Sequence, residues 1–308
     1  MLIHNAGEKM ANKSSWHDER GEYPQGLNPA ELPTFIALPW REYCREAFGA
    51  DGHPVLALHR LCDAFEIAIR WAVVLIVSDI MRSNSSRLPK GLVKEIGTRL
   101  ERPTLAGWRD ILLIVSKEKY RPKDGGLLPT AYALLETVID QNCLGEKAGG
   151  TTDNSILVLR QDYCHSGVGI PSEQAKKLLK LHEPRIEQVM RAVSKATDGF
   201  AVMAWRGGEL YKLHGSLGYP IEIPAGLEKA ADSPFLYGQD IVLPLCPLSR
   251  FAMIMKYKDS RLQDDGPWPQ LYRRFDDPSI LFTPLGAGVA VAEEKQRHNE
   301  FKELFGMG

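Results

Sequence analysis

Residues 55–81 constrain the fold more than any other stretch of this chain. Leu58, Leu61, Cys62, Phe65, Ala68, Ile69, Ala72, Ile76 and Ile80 recur at the i, i+3, i+4, i+7 spacing of an amphipathic helix. The period predicts one long helix over 55–81. A second stripe, His59, Asp63, Glu66 and Arg70, runs at the same spacing and therefore shares one face. Glu66 and Arg70 stand at i, i+4, the arrangement of an intrahelical ion pair. The stripe has two readings: a solvated or intrahelical ion-pair face, or a face on which Asp63 or Glu66 supports Arg160 and His165 as a partner behind them. His59 by itself reads as structural. The longest apolar run, residues 71–77, is bounded by Arg70 and Asp79 and falls well short of the roughly 20 residues that span a bilayer.

Shorter helical patterns surround this one. They cover residues 40–48, 89–101, 104–119 and 128–143, with Pro103 and a Pro122-Lys123-Asp124-Gly125-Gly126 turn as punctuation. A further helix is expected to start at Ile156, capped by Asp153 or Asn154. The last long pattern covers 171–198, and Pro184 is expected to kink or split it. His182 lies on its apolar stripe and reads as a core or rim residue.

The composition changes at Asp198-Gly199. Residues 200–213 read as two strands joined by a hairpin at Gly207-Gly208. Further strands are expected at 220–223, 240–245 and 250–257, with another hairpin pairing 271–275 and 280–283. A closing helix is expected over 290–305. The expected fold class is thus a mainly α N-terminal helical bundle followed by a smaller α+β unit with an antiparallel sheet. The expected division is a disordered or extended tail over 1–30, a helical domain over 31–198 and a β-rich accessory domain over 199–308. Trp205, Tyr211, Trp268 and Tyr272 read as sheet core and cross-strand pairs, or as a recognition surface.

Composition narrows the functional classes. A net charge of −1 gives no global attraction to nucleic acid, so any such binding must use a local patch. The five cysteines are scattered without CxxC or Cys/His ligand spacing, which points to reduced thiols. Residues 1–25 lack the apolar stretch of a signal peptide. A soluble, cytoplasmic protein is expected, with no membrane partner. Walker A, dinucleotide-binding, GxSxG and HExxH patterns are all missing from the sequence, so no cofactor and no metal are expected.

One segment carries chemistry: Leu159-Arg160-Gln161-Asp162-Tyr163-Cys164-His165-Ser166-Gly167. Imidazole titrates near neutral pH and can move a proton to or from a ribose hydroxyl. A guanidinium stays charged and offers a fork of donors to phosphate. On a continuous helix the two side chains would lie about 140° apart, so they converge only if the helix ends near His165 or two subunits share the site. Ser166-Gly167 suits such an ending. The plainer alternative is a helix-end salt bridge with a capping histidine.

These residues resemble the HEPN family. Arg160 and His165 match its R-X4-6-H motif, and the whole segment is similar to the L-R-N-x-x-A-H-G stretch of bacterial HEPN modules. Gln161, Cys164 and Ser166 stand where Asn, Ala and Gly are usual. The resemblance covers roughly residues 50–197. It implies a helical homodimer whose motifs face each other, and metal-independent RNA cleavage leaving a 2′,3′-cyclic phosphate. The catalytic pair would be Arg160 and His165, with Gln161, Asp162, Asp63 and Glu66 in support. Lys176, Lys177 and Lys180, on the basic pattern that follows, are candidate RNA contacts. The implied partners are RNA (transfer or messenger), a second copy of the chain, and an antitoxin or defence-system protein; the implied role is an antiphage or toxin effector. The competing function is a non-catalytic adaptor or sensor front end that binds RNA or protein.

Overall fold

The structure, a computed structural model, describes residues 27–50, 52–85, 87–100, 105–140, 143, 155–160, 170–206, 208–215, 219–224, 227, 234–239 and 241–246. Its axis is α2, Pro54–Ser83. The His53 side chain accepts from the Val55 amide at 3.2 Å, and Pro54 occupies the first helical position, where its missing N–H costs nothing. Residues 64–80 are buried without a break. This helix is therefore enclosed rather than amphipathic, and the polar groups within it must find partners inside the protein.

The enclosing helices are α1 (Thr34–Phe48), α3 (Lys90–Leu100), α4 (Leu105–Val115) and α5 (Pro129–Asp140), followed by the short α6 (Ile156–Leu159) and by α7 (Ser172–Lys195). Of these, α1, α4, α5 and α7 pack directly on α2, while α3 packs on α4. The start of α1 lies six residues before the sequence pattern suggests, and the helix contains Pro39. Proline removes one helical hydrogen bond, but Phe35, Ile36 and Trp40 are fully buried here, and Phe35 packs on Trp71 of α2 at 5.5 Å. Apolar burial outweighs the lost bond. The described chain also begins earlier than the expected end of the tail. Leu27 is buried, and its carbonyl accepts from the Trp40 indole at 3.3 Å.

Two further expectations need correcting. Ser155, not Asp153 or Asn154, caps α6: its hydroxyl accepts from the Val158 amide at 3.2 Å. And α7 runs unsplit through Pro184, which sits on the exposed side, where water can satisfy the carbonyl that proline leaves unbonded.

The C-terminal end of α2 is tied down by a buried carboxylate. Asp79, fully buried, accepts from the Leu127 amide with both oxygens at 3.1 Å and from Arg82 Nε at 3.1 Å. Arg82 also reaches Asp124 at 2.9 Å, which closes the loop ahead of α5 onto α2. Gly126 has φ +70, and a Cβ there would stand 2.4 Å from Asp79 Oδ2. Asp79→Ala orphans the Leu127 amide and one side of Arg82; we expect a loss of about 2 kcal/mol, read as a lower urea midpoint at constant m. Gly126→Ala should lower the midpoint as well, through left-handed strain and that contact.

His182 is a second buried polar group, only 1% exposed, with no hydrogen-bond partner on Nδ1 among the described residues. Burial, with the nearby Arg185 charge, pushes its pKa down to about 4. The unfolded chain takes up this proton near pH 6.5 and the folded chain does not until about 4. The neutral form's contribution is therefore complete above about 6.5 and is lost as pH falls toward 4. His182→Leu should flatten the loss of urea midpoint between pH 7 and 4 relative to wild type.

After α7 the chain forms an antiparallel sheet in the order β3-β2-β1-β4-β5. The strands are β1 (Ala201–Arg206), β2 (Glu209–Lys212), β3 (Tyr219–Ile221), β4 (Phe235–Gly238) and β5 (Ile241–Pro244). The β1–β2 hairpin has the expected register, with Arg206 opposite Glu209 and Gly208 at φ +89. The sequence reading missed β4, and with it the β4–β5 hairpin turned through Gln239 at φ 52. The expected strand at 250–257, the 271–283 hairpin, the helix over 290–305, Trp268 and Tyr272 lie outside the described residues.

Strand alternation splits the sheet into two faces. Val202, Ala204, Leu236 and Leu243 join the same core as the helices, whereas Met203, Leu210 and Phe235 form a small second cluster that Trp205 packs against. Ser78 of α2 links the layers: its hydroxyl donates to Val74 O at 2.6 Å and accepts from the Cys246 amide at 2.8 Å. The Thr34 amide donates to Leu213 O at 3.1 Å, and Pro33 bridges His214. Among the described residues, side chains on either side of position 198 thus contribute to one hydrophobic core. No helix among the described residues is long and apolar enough to cross a membrane.

Candidate functional site

Short α6 delivers Arg160 to the charged stripe of α2. The Arg160 backbone is still helical, at φ −65 and ψ −41, and its N–H is shared between Ile156 O and Leu157 O. Its side chain crosses to α2, where Nη1 donates to Asp63 Oδ1 at 2.9 Å and Nε pairs with Glu66 Oε2 at 2.8 Å. Asp63 and Glu66 are one turn apart, so the two carboxylates grip two edges of one guanidinium. Its third nitrogen, Nη2, has no partner among the described residues.

Each carboxylate is held in turn by an arginine of its own helix. Asp63 Oδ2 accepts from Arg60 Nη1 at 3.3 Å, and Glu66 Oε1 accepts from Arg70. The Arg70 guanidinium lies over the Trp108 ring of α4, 5.5 Å from its centroid. Among these five side chains, three guanidiniums thus meet two carboxylates. Glu66 and Arg70 are each 4% exposed, and the Arg160 side chain 12%. Burial works against the Arg160 charge, and the carboxylates of Glu66 and then Asp63 outweigh it, so the group is held protonated even more firmly than usual.

The intrahelical Glu66–Arg70 pair forms as expected, but both residues are buried rather than solvated. The reading that paired Asp63 or Glu66 with Arg160 describes the geometry of the stripe, except that both carboxylates take part. Sequence reasoning passed over Arg60 and Trp108 and left Arg70 as an ordinary surface pair. The available signal was context: on a helix that is apolar nearly all round, a lone charged stripe is itself buried and needs a partner of matching charge.

The remaining candidates are placed as follows. Gln161, Asp162 and His165 lie outside the described residues. Lys176 is half-buried and pairs with Glu173 at 3.1 Å, while Lys177 and Lys180 are exposed. Tyr43 of α1 donates to Glu183, which fixes α7 against α1.

No family model, curated protein or solved structure matches this chain. The chemistry is therefore read from the side chains alone. The clamp does two things. It fixes the plane of a guanidinium that would otherwise sample many rotamers, which lowers the ordering cost of a hydrogen bond made by its free edge. And it keeps the Arg160 guanidinium charged in a poorly solvated place, where an anion would feel it strongly.

Proposed function

We propose that this chain is a metal-independent endoribonuclease of the HEPN type, acting as an antiphage or toxin effector. The observation that carries the reading is the Arg160 clamp: Nε and Nη1 held by Glu66 and Asp63, Nη2 left over, at the head of the segment that bears His165. In this reading His165 accepts the proton of a ribose 2′-hydroxyl as that oxygen attacks the adjacent phosphorus. The 5′-oxygen leaves with a proton from an acid on the opposite side, and the product strand ends in a 2′,3′-cyclic phosphate. Nη2 of Arg160 donates to a non-bridging oxygen, whose negative charge grows in the transition state. Asp63 and Glu66 set the angle of that donor without touching RNA. Two chains with facing motifs would supply the opposing acid, His165 of one copy serving the base role and that of the other the acid role.

The test is incubation of the full chain with transfer RNA and with total RNA in EDTA, followed by analysis of the cleaved ends. The reading expects 2′,3′-cyclic phosphate and a dimer by sedimentation. Ends carrying 3′-hydroxyl and 5′-phosphate would contradict it.

One observation favours a second reading. Arg160 is mostly buried and already bears two carboxylates, which is also how a purely structural arginine is held. On that reading the chain is a HEPN-like adaptor or sensor module that binds RNA or protein without cutting it. Intact RNA in the same assay, with partner binding unchanged by Arg160 and His165 substitutions, would select it.

A further inference from the structure

We propose that the exposed edge of α7, together with the groove it forms with α5, is the track for the ribose–phosphate backbone of a single-stranded RNA. The proposal rests on the ribonuclease reading and extends its candidate contacts Lys177 and Lys180 to a continuous surface.

The positions of α7 that face away from its buried stripe recur every three or four residues. Residues 177, 180, 184, 188, 191 and 195 fall within an arc of about 80°. They carry Lys177, Lys180, Arg191 and Lys195, with uncharged Pro184 and Gln188 between. Glu173, a turn before Lys177, is the one acid on this arc, and it pairs with Lys176. Glu187 lies beside the arc and pairs with Arg191. Lys177, Lys180 and Lys195 are exposed and form no ion pair with the described residues. The eighteen helical steps from Lys177 to Lys195 span about 27 Å, the length of roughly eight stacked nucleotides.

Alongside Arg191 and Lys195 runs a groove of about 350 Å³ between α5 and α7. Thr130 and Thr137 of α5 line it, Gln188 faces them from α7, and Leu134 lies with Ala192 among its apolar lining. Hydroxyls and an amide offer hydrogen bonds to phosphate and ribose, while the apolar part accepts a sugar or base edge. An arc on which exposed Lys177, Lys180 and Lys195 form no ion pair with the described residues suits a repeating polyanion better than a folded protein partner, whose charges are irregularly placed. With the whole chain at −1, attraction must be local, and this edge supplies it.

The test uses the full chain carrying His165→Ala, so that binding is read without cleavage. Anisotropy of a fluorescein-labelled single-stranded RNA of about 20 nucleotides is followed between about 50 and 200 mM KCl. Adding Lys177→Ala, Lys180→Ala and Lys195→Ala should weaken binding at least tenfold and flatten the plot of log K against log salt by about 2, from three contacts at about 0.7 each. Removing three exposed lysines elsewhere, Lys90→Ala, Lys94→Ala and Lys123→Ala, should change neither. Thr130→Val should weaken binding a few-fold without altering the slope. Circular dichroism and Tm equal to the parent's establish that each variant is folded. If the parent binds and the α7 triple variant keeps its affinity and slope, or if both lysine sets cost the same, the track is wrong and the ribonuclease reading stands. If the parent binds no RNA and the wild-type chain cuts none, both fall together.

Discussion

On the proposed ribonuclease reading, Arg160→Lys is expected to lower RNA cleavage by the full chain by about 10²–10³-fold, although the positive charge is retained. The clamp explains why. A guanidinium presents Nε, Nη1 and Nη2 in one plane, so Glu66 and Asp63 can hold two of them and leave the third, on the proposed reading, for a phosphate oxygen. A lysine ammonium is a single centre on a flexible stem. Drawn between two carboxylates about a helical turn apart, it has no fixed edge left to offer. The loss should fall on the single-turnover rate and much less on RNA affinity, because the donor matters most where charge develops on the phosphate. Stability should fall by only about 1–2 kcal/mol, since one strong charge-assisted bond persists. A Lys variant that cuts at the wild-type rate would show that Arg160 supplies charge alone, or nothing.

Glu66→Ala is expected to be the most destabilising single change in the cluster. Glu66 is 4% exposed and divides its oxygens between Arg70 and Arg160. Removing it leaves two guanidiniums facing each other in a desolvated place, where breaking a buried pair costs about 3–5 kcal/mol. For a chain of this size that is on the order of 10 °C in Tm. Glu66→Gln should cost less, because the amide oxygen still accepts from one arginine. Asp63→Ala should also cost less, since Asp63 is half-buried and its outer partner, Arg60, can turn toward water. The order Glu66→Ala, then Asp63→Ala, then Glu66→Gln, read from thermal unfolding, checks which carboxylate anchors the network.

Much of the helical half is legible in the sequence, because a 3.6-residue period repeated over four or more turns leaves little ambiguity. The α2 pattern is the clearest case, and the expected range of 55–81 lies within two residues of each end of the helix. What period cannot show is enclosure. The apolar stripe of α2 predicts one buried side, but residues 64–80 are buried all round, because four other helices cover it. That difference turns Glu66 and Arg70 from a surface pair into a buried one. Prolines mislead in both directions. Pro39 hides the first turns of α1, and Pro184 suggests a break in α7 that an exposed position makes unnecessary. β4 is invisible because Phe235-Leu236-Tyr237-Gly238 is too short to display alternation; it becomes a strand by pairing with β1 and β5.

The candidate site is legible in part. The Arg160 segment stands out by its residue types, and the α2 stripe by its spacing. Their meeting is a contact between residues 97 positions apart, as Arg160 and Asp63 are, and no local signal encodes it. The stacking of Arg70 on Trp108 is hidden for the same reason, as it depends on how α4 docks.

The central claim is that Arg160 and His165 act together on an RNA phosphodiester. Its most direct measurement is the cleavage rate of one defined RNA in EDTA by wild type, Arg160→Ala, His165→Ala and the double variant. The account predicts that each single substitution removes at least about 10²-fold of the rate and that the double variant is no worse than the poorer single one, because the two groups serve one transition state. Cleavage that survives both substitutions, with all four proteins folded, would contradict it.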